Sequence, residues 1–122
     1  MPPGQEFAEH ACDLLTSVRP PFDLGTKLRR MFGGHGIFCD GVMFALIADE
    51  VLYLKVDAQT KAAFLDAGCE PFTYEKSGKP VALSYLTVPD DAAEDIEELR
   101  PWAHMALAAA NRAQAQKKPR KS

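Results

Sequence analysis

The chain has 122 residues, 47% hydrophobic and 25% charged, a length and balance that suit one globular domain around one core. No apolar run reaches the roughly 18 residues of a membrane-spanning helix, and the longest, Val42 to Ala48, has strand length. The formal net charge is −3; Lys117, Lys118, Arg120 and Lys121 are four of the 14 basic side chains, which leaves residues 1–116 with 10 basic against 17 acidic. So acidic a body is a poor general surface for a phosphate backbone.

The first residues, Met1 to Glu6, lack the basic segment and apolar stretch of a secretory signal, so a cytoplasmic location is expected. The three cysteines, Cys12, Cys39 and Cys69, are odd in number and widely spaced within apolar patterns. They read as buried free thiols in a reducing compartment.

In chain order, Phe7, Ala11, Leu14, Leu15 and Val18 draw one apolar stripe along a helix from about 5 to 17, which Pro20-Pro21 stops. Residues 27–56 change to short β-rich runs, and three strands are expected: 28–32, 36–48 interrupted by an Asp40-Gly41 turn, and 51–56. The run Phe32-Gly33-Gly34-His35-Gly36 is read as the bend after the first of them. Asp57 is placed as the cap of a helix through Leu65 that buries Ala62, Phe64 or Leu65 and ends at Gly68.

Strands at 72–75 and 81–88 follow, joined through Ser77-Gly78 and closed by Pro89. An acidic helix from Ala92 to Leu99 is expected next, then a reset at Pro101 and a final helix from Trp102 to about Ala113. The organisation is one domain over 1–114 and a basic disordered tail over 115–122.

Candidate chemistry is sparse. The glycine run lacks the Lys-Ser or Lys-Thr of a phosphate loop and leads into a strand, so no helix N-terminus faces an anion. His35, Cys39 and Cys69 do not make the paired ligands of a structural zinc site. No nucleophile, base and orienting group converge by spacing, and no metal or cofactor is expected. His10 and His104 read as partly exposed polar positions on the first and last helices.

Phe32, Phe38, Phe44, Tyr53, Phe72, Tyr74 and Tyr85 interleave with Arg29, Arg30, Lys55 and Lys76. That mixture can be a stacking platform for single-stranded nucleic acid. The preferred reading sends the aromatics into the core, as on the covered side of an antiparallel sheet.

Three stretches form a recognisable pattern: Arg30-Met31-Phe32-Gly33-Gly34-x-Gly36, Phe38-x-Asp40-Gly41-x-Met43-Phe44, and Leu52-Tyr53-Leu54-Lys55-Val56-Asp57. With Pro71-Phe72-x-Tyr74, Ser84-Tyr85, Val88-Pro89 and Trp102, the chain resembles the N-terminal domain of TfoX/Sxy regulators over roughly residues 8–112. The resemblance implies an α+β, two-layer fold: an antiparallel sheet of about five strands with helices on one face, similar to secretion chaperones. In full-length members a second, C-terminal domain follows, and the proteins regulate bacterial competence genes with the cAMP-responsive activator protein. The family supplies no catalytic residues.

The expected function is therefore a non-enzymatic regulatory or protein-interaction domain, with protein partners that include transcription machinery and with self-association as a further mode. Two alternatives accompany it. One is a small-ligand or enzymatic pocket near the glycine bend lined by Arg30, Phe32, His35, Tyr74 and Tyr85. The other is nucleic-acid binding through the basic tail.

Overall fold

The computed structural model describes residues 5–16, 26–31, 34–39, 41–48, 50–76, 78–89, 92 and 95–117, with side chains left out at 5, 31, 74–76, 79–83, 116 and 117. Three helices and six strands follow in the order α1 (Gln5–Thr16), β1 (Thr26–Met31), β2 (Gly34–Cys39), β3 (Val42–Ala48), β4 (Val51–Lys55), α2 (Lys61–Asp66), β5 (Pro71–Lys76), β6 (Lys79–Thr87) and α3 (Ile96–Lys117). The strands form one antiparallel sheet in the order β1-β2-β3-β4-β6-β5. The α+β class is as expected, with one more strand, because the apolar run 36–48 is two strands joined at Gly41. Gly41 takes φ +81°, a value that favours glycine in a tight hairpin.

The glycine-rich run divides differently from its reading as a bend. Met31 pairs with Gly34, so the chain turns back between them, and Gly34, His35 and Gly36 all lie within β2. The demand for glycine at position 34 is steric: a Cβ there would stand 2.2 Å from the carbonyl oxygen of Ile47 on β3.

Where β2 meets β3, Ile37 pairs with Ala45 but Phe38 pairs with Met43, which leaves Phe44 as the extra residue of a β-bulge. The bulge lets two consecutive side chains, Phe44 and Ala45, be wholly buried. β4 and β5 run parallel with β6 between them, so their connection must cross over the sheet. Helix α2 lies in that crossover and anchors it with Phe64, which is fully buried and packs edge-on against Trp102 with ring centroids 4.8 Å apart.

All three helices feed one core. Ala8, Ala11 and Leu15 of α1, Phe64 of α2, and Leu99, Ala103, Ala106 and Ala110 of α3 meet Ile37, Ala45, Ile47, Leu54 and Leu86 of the sheet. Small residues on α3 let the helix sit close to β3 and β4. Cys39 and Cys69 are buried thiols as expected, while Cys12 is only half-buried.

Three local readings are corrected. Asp57 does not cap α2: its carboxylate accepts from the Gln59 N–H (3.0 Å) and the Thr60 hydroxyl (3.4 Å) in the preceding turn, and Thr60 stands at the helix start without a side-chain cap bond. Of the three candidates on α2 only Phe64 is buried; Ala62 and Leu65 are exposed. Pro101 does not divide two helices but lies within α3, just past the first turn. There the Pro forfeits one backbone bond and Asp95 supplies the cap, its carboxylate accepting from the N–H of Glu97 at 2.9 Å. Helix α3 also continues to Lys117, so residues 115–117 of the expected tail are helical, and 118–122 lie outside the described residues.

Candidate interaction surface

Strand register sorts the side chains onto two faces, because residues directly opposite in an antiparallel pair point the same way. The helix-covered face carries the row Leu28, Ile37, Ala45, Leu54 and Leu86. The opposite face carries Arg29, Gly36, Leu46, Tyr53 and Thr87 in one row, Lys27, Phe38 and Met43 in a second, and Lys55 beside Tyr85 in a third. Leu46 and Tyr85 are buried, yet neither belongs to the core beneath the helices. They are covered by their neighbours on this outer face.

The outer face is held together by aromatic contacts. The Arg29 guanidinium lies 5.6 Å from the centre of the Phe38 ring, and Lys55 Nζ lies 5.3 Å from that of Tyr85. Tyr53 and Phe72 meet edge-on with centroids 5.1 Å apart. The Tyr85 hydroxyl donates across the sheet to the Met43 carbonyl at 3.5 Å, which lays its ring along the surface. Burial disfavours the phenolate and pushes the Tyr85 pKa up to about 12.

Phe38, Met43, Tyr53 and Phe72 remain partly exposed, while Lys27 and Arg29 are exposed. Among the described side chains the paired rows of this face carry Lys27, Arg29 and Lys55, and the exposed Glu70 stands at the edge, its N–H donating to the Thr87 hydroxyl at 2.9 Å. The helical side carries acids and bases together, Glu97 with Arg100 and Asp57 with Arg112. Two adjoining clefts of about 440 and 500 Å³ share Gly68, Thr87 and Val88; Glu98 and Trp102 line one, and Glu50, Glu70 and Phe7 the other.

Of the residues proposed for a pocket that are described, two come together and the third does not. Arg30 and His35 are cross-strand partners on the helix side of the sheet, with His35 buried, whereas Tyr85 lies on the outer face. Phe32 and the Tyr74 side chain lie outside the described residues. Of the other pattern residues, Phe44 is core and Trp102 packs against it from α3 by way of Phe64, while Lys55 and Phe72 belong to the outer face and Pro89 is buried after β6. His10 and His104 are exposed on separate helices. Among the described residues no group of three or more His, Cys, Asp or Glu could hold a metal ion.

The preferred destination of the aromatics is therefore overturned for four of them: Phe38, Tyr53, Phe72 and Tyr85 face away from the helices, and Phe44 alone of the described aromatic strand residues enters the inner core. The signal that could have found this is the unbroken apolar run at 42–48. Continuous apolar character in an antiparallel strand makes both faces apolar, including the one that no helix covers.

Comparison with known proteins bears on what such a surface serves. A family model described as the TfoX N-terminal domain matches residues 24–110, a span that starts after α1 and is narrower at the N-terminus than the 8–112 of the sequence resemblance. The DNA transformation protein TfoX1 of Aliivibrio fischeri is 37% identical over 60 residues, covering 49% of this chain and 29% of that protein. The match therefore covers less than a third of the relative's length. No helix among the described residues is long and apolar enough to cross a membrane.

Proposed function

The chain belongs to the TfoX N-terminal domain family, and from that membership we propose that it is a non-enzymatic regulatory domain serving DNA transformation, acting by binding through its outer sheet face. The carrying observation is that face: a cluster of partly exposed aromatic side chains with basic residues among them, on the side of the sheet away from the helices. Apolar surface left in water is unfavourable, so a persistent cluster of this kind is the mark of a surface that something else covers.

Support for the link to DNA transformation comes from the relative named for it. Regulation of gene expression for DNA uptake is where a domain that binds without reacting would act. Inside the cell, it would hold a partner at the place where transcription is controlled. The scatter of His10, His35 and His104 over separate elements favours binding over catalysis.

The test is genetic. Deleting the gene in a naturally transformable host should lower the frequency of DNA uptake, and the wild-type gene should restore it. Phe38→Ala with Arg29→Ala should fail to restore it at equal protein level. Unchanged uptake on deletion would refute the role.

A further inference from the structure

We propose that the outer sheet face binds single-stranded nucleic acid, with unpaired bases stacking on Phe38, Tyr53 and Phe72 and backbone phosphates held by Lys27, Arg29 and Lys55. The inference rests on the reading of this face as the working surface and names its occupant. Three observations select that chemistry. The described side chains in the paired rows of the face are aromatic, apolar or basic apart from Thr87, and the charges among them are all positive, in a chain whose acids outnumber its bases by 17 to 14. A surface that alternates flat rings with cations complements a ligand that alternates flat rings with anions.

The arrangement also suits an extended strand. Phe38 lies on β2 and Tyr53 on β4, two strands apart at about 4.8 Å per strand, and the Tyr53 ring meets Phe72 of β5 across β6. The rings thus run diagonally across the outer face, Phe38 standing two residues along β2 from Gly36, which shares the row of Tyr53. Lys27 and Arg29 flank their β1 side, and Lys55 lies further along between Tyr53 and Tyr85. A duplex would offer only its phosphates to such a line, since its bases are already stacked.

In the protein alone, the Arg29 guanidinium lies over the Phe38 ring that a base would use. An arriving base takes the ring, and the guanidinium swings to the adjacent phosphate. Stacking and charge neutralisation are therefore coupled at this position. The other anionic candidate, an acidic protein segment, would satisfy the cations but give the three rings nothing planar to stack on.

The experiment uses the full chain and fluorescently labelled 12-mers, oligo-dT and oligo-U, with a 12-base-pair duplex as comparison, followed by fluorescence anisotropy. Saturable binding to either single strand, at least tenfold tighter than to the duplex, is expected. With about three phosphates neutralised, log K should fall with log salt at a slope near −2. Tyr53→Ala should weaken binding about 5- to 150-fold. Lys27→Glu with Arg29→Glu, both exposed on the edge strand β1 and checked for folding by circular dichroism, should weaken it further and flatten the salt slope.

Four results would each overturn the proposal: no binding at 50 mM salt, equal affinity for the duplex, affinity unchanged in the Lys27→Glu/Arg29→Glu variant, or loss of binding when residues 118–122 are removed. Poly-glutamate competing as well as oligo-dT would assign the face to an acidic protein instead. Any of these, together with DNA uptake that still depends on Phe38 and Arg29, would refute the nucleic-acid occupant while leaving the regulatory role intact.

Discussion

The two faces of one sheet have been built from different residues for different ends. Beneath the helices the strands present aliphatic side chains and α3 presents alanines, so backbones approach closely and the layer excludes water completely: Ile37, Ala45, Leu54, Ala103 and Ala106 are all 0% exposed. On the other side the same strands present rings and long cations that cover one another incompletely, stiffened by contacts such as Arg29 on Phe38. The first face is a closed account of burial. The second is stable enough to keep its shape and still has surface to offer, which is what separates a recognition surface from a core.

Truncation should tell the faces apart most sharply. Phe44→Ala removes a fully buried ring from the bulge and should cost about 3–5 kcal/mol. Phe38→Ala on the outer face should cost only about 1–2 kcal/mol, because its ring is already partly in water. Urea denaturation measures both. Equal costs would mean that the outer face is a second core and would remove the ground for reading it as a binding surface.

Gly34→Ala probes the backbone that both faces share. The added Cβ would collide with the Ile47 carbonyl, so β2 and β3 must separate, with an expected loss of about 3 kcal/mol, at the upper end for overpacking. A near-neutral result would mean that the strands part easily at this point.

Legibility followed the range of the interactions. Turns and element types rest on local chemistry, so Gly41, Gly68 at the end of α2, and the helix and strand order were readable from neighbouring residues alone. The two faces rest on register, and one bulge at Phe44 shifts the alternation on which a parity argument depends. Asp57 shows the same limit. Its position invited a helix cap, but its carboxylate is claimed by Arg112, 55 residues away on α3. For Pro101 a local rule was overruled by tertiary packing, since Leu99 on one side and Ala103 on the other are both anchored in the core. The candidate surface was visible only as a mixture of residue types; which side of the sheet held the rings was not.

The Asp57–Arg112 pair ties the inner layer to the turn after β4. Arg112 donates from Nε to one carboxylate oxygen at 2.6 Å and from Nη2 to the other at 3.0 Å. These bonds hold the Asp57 carboxyl down at about 2, from an ordinary 3.8. Because the folded state lowers the pKa, the contribution is complete above about pH 4 and is lost as pH falls through about 2. Arg112→Met should therefore lower the urea midpoint modestly at pH 7, and the gap from wild type should close by pH 2. A gap independent of pH would assign the effect to packing of the α3 stem.

The smallest effect belongs to the outer face and has the opposite sign in pH. The Tyr85 phenol is raised to about 12 by burial against an ordinary value of 10.0, so below pH 10 folded and unfolded chains both keep it neutral. Between about 10 and 12 the unfolded chain releases a proton that the folded chain retains, and stability falls over that interval. Tyr85→Phe deletes the titration and one long hydrogen bond to Met43, at a cost below about 1 kcal/mol near neutrality. The variant should lose less stability than wild type from pH 10 to 12, and the absorbance titration of wild type should show one tyrosine ionising late.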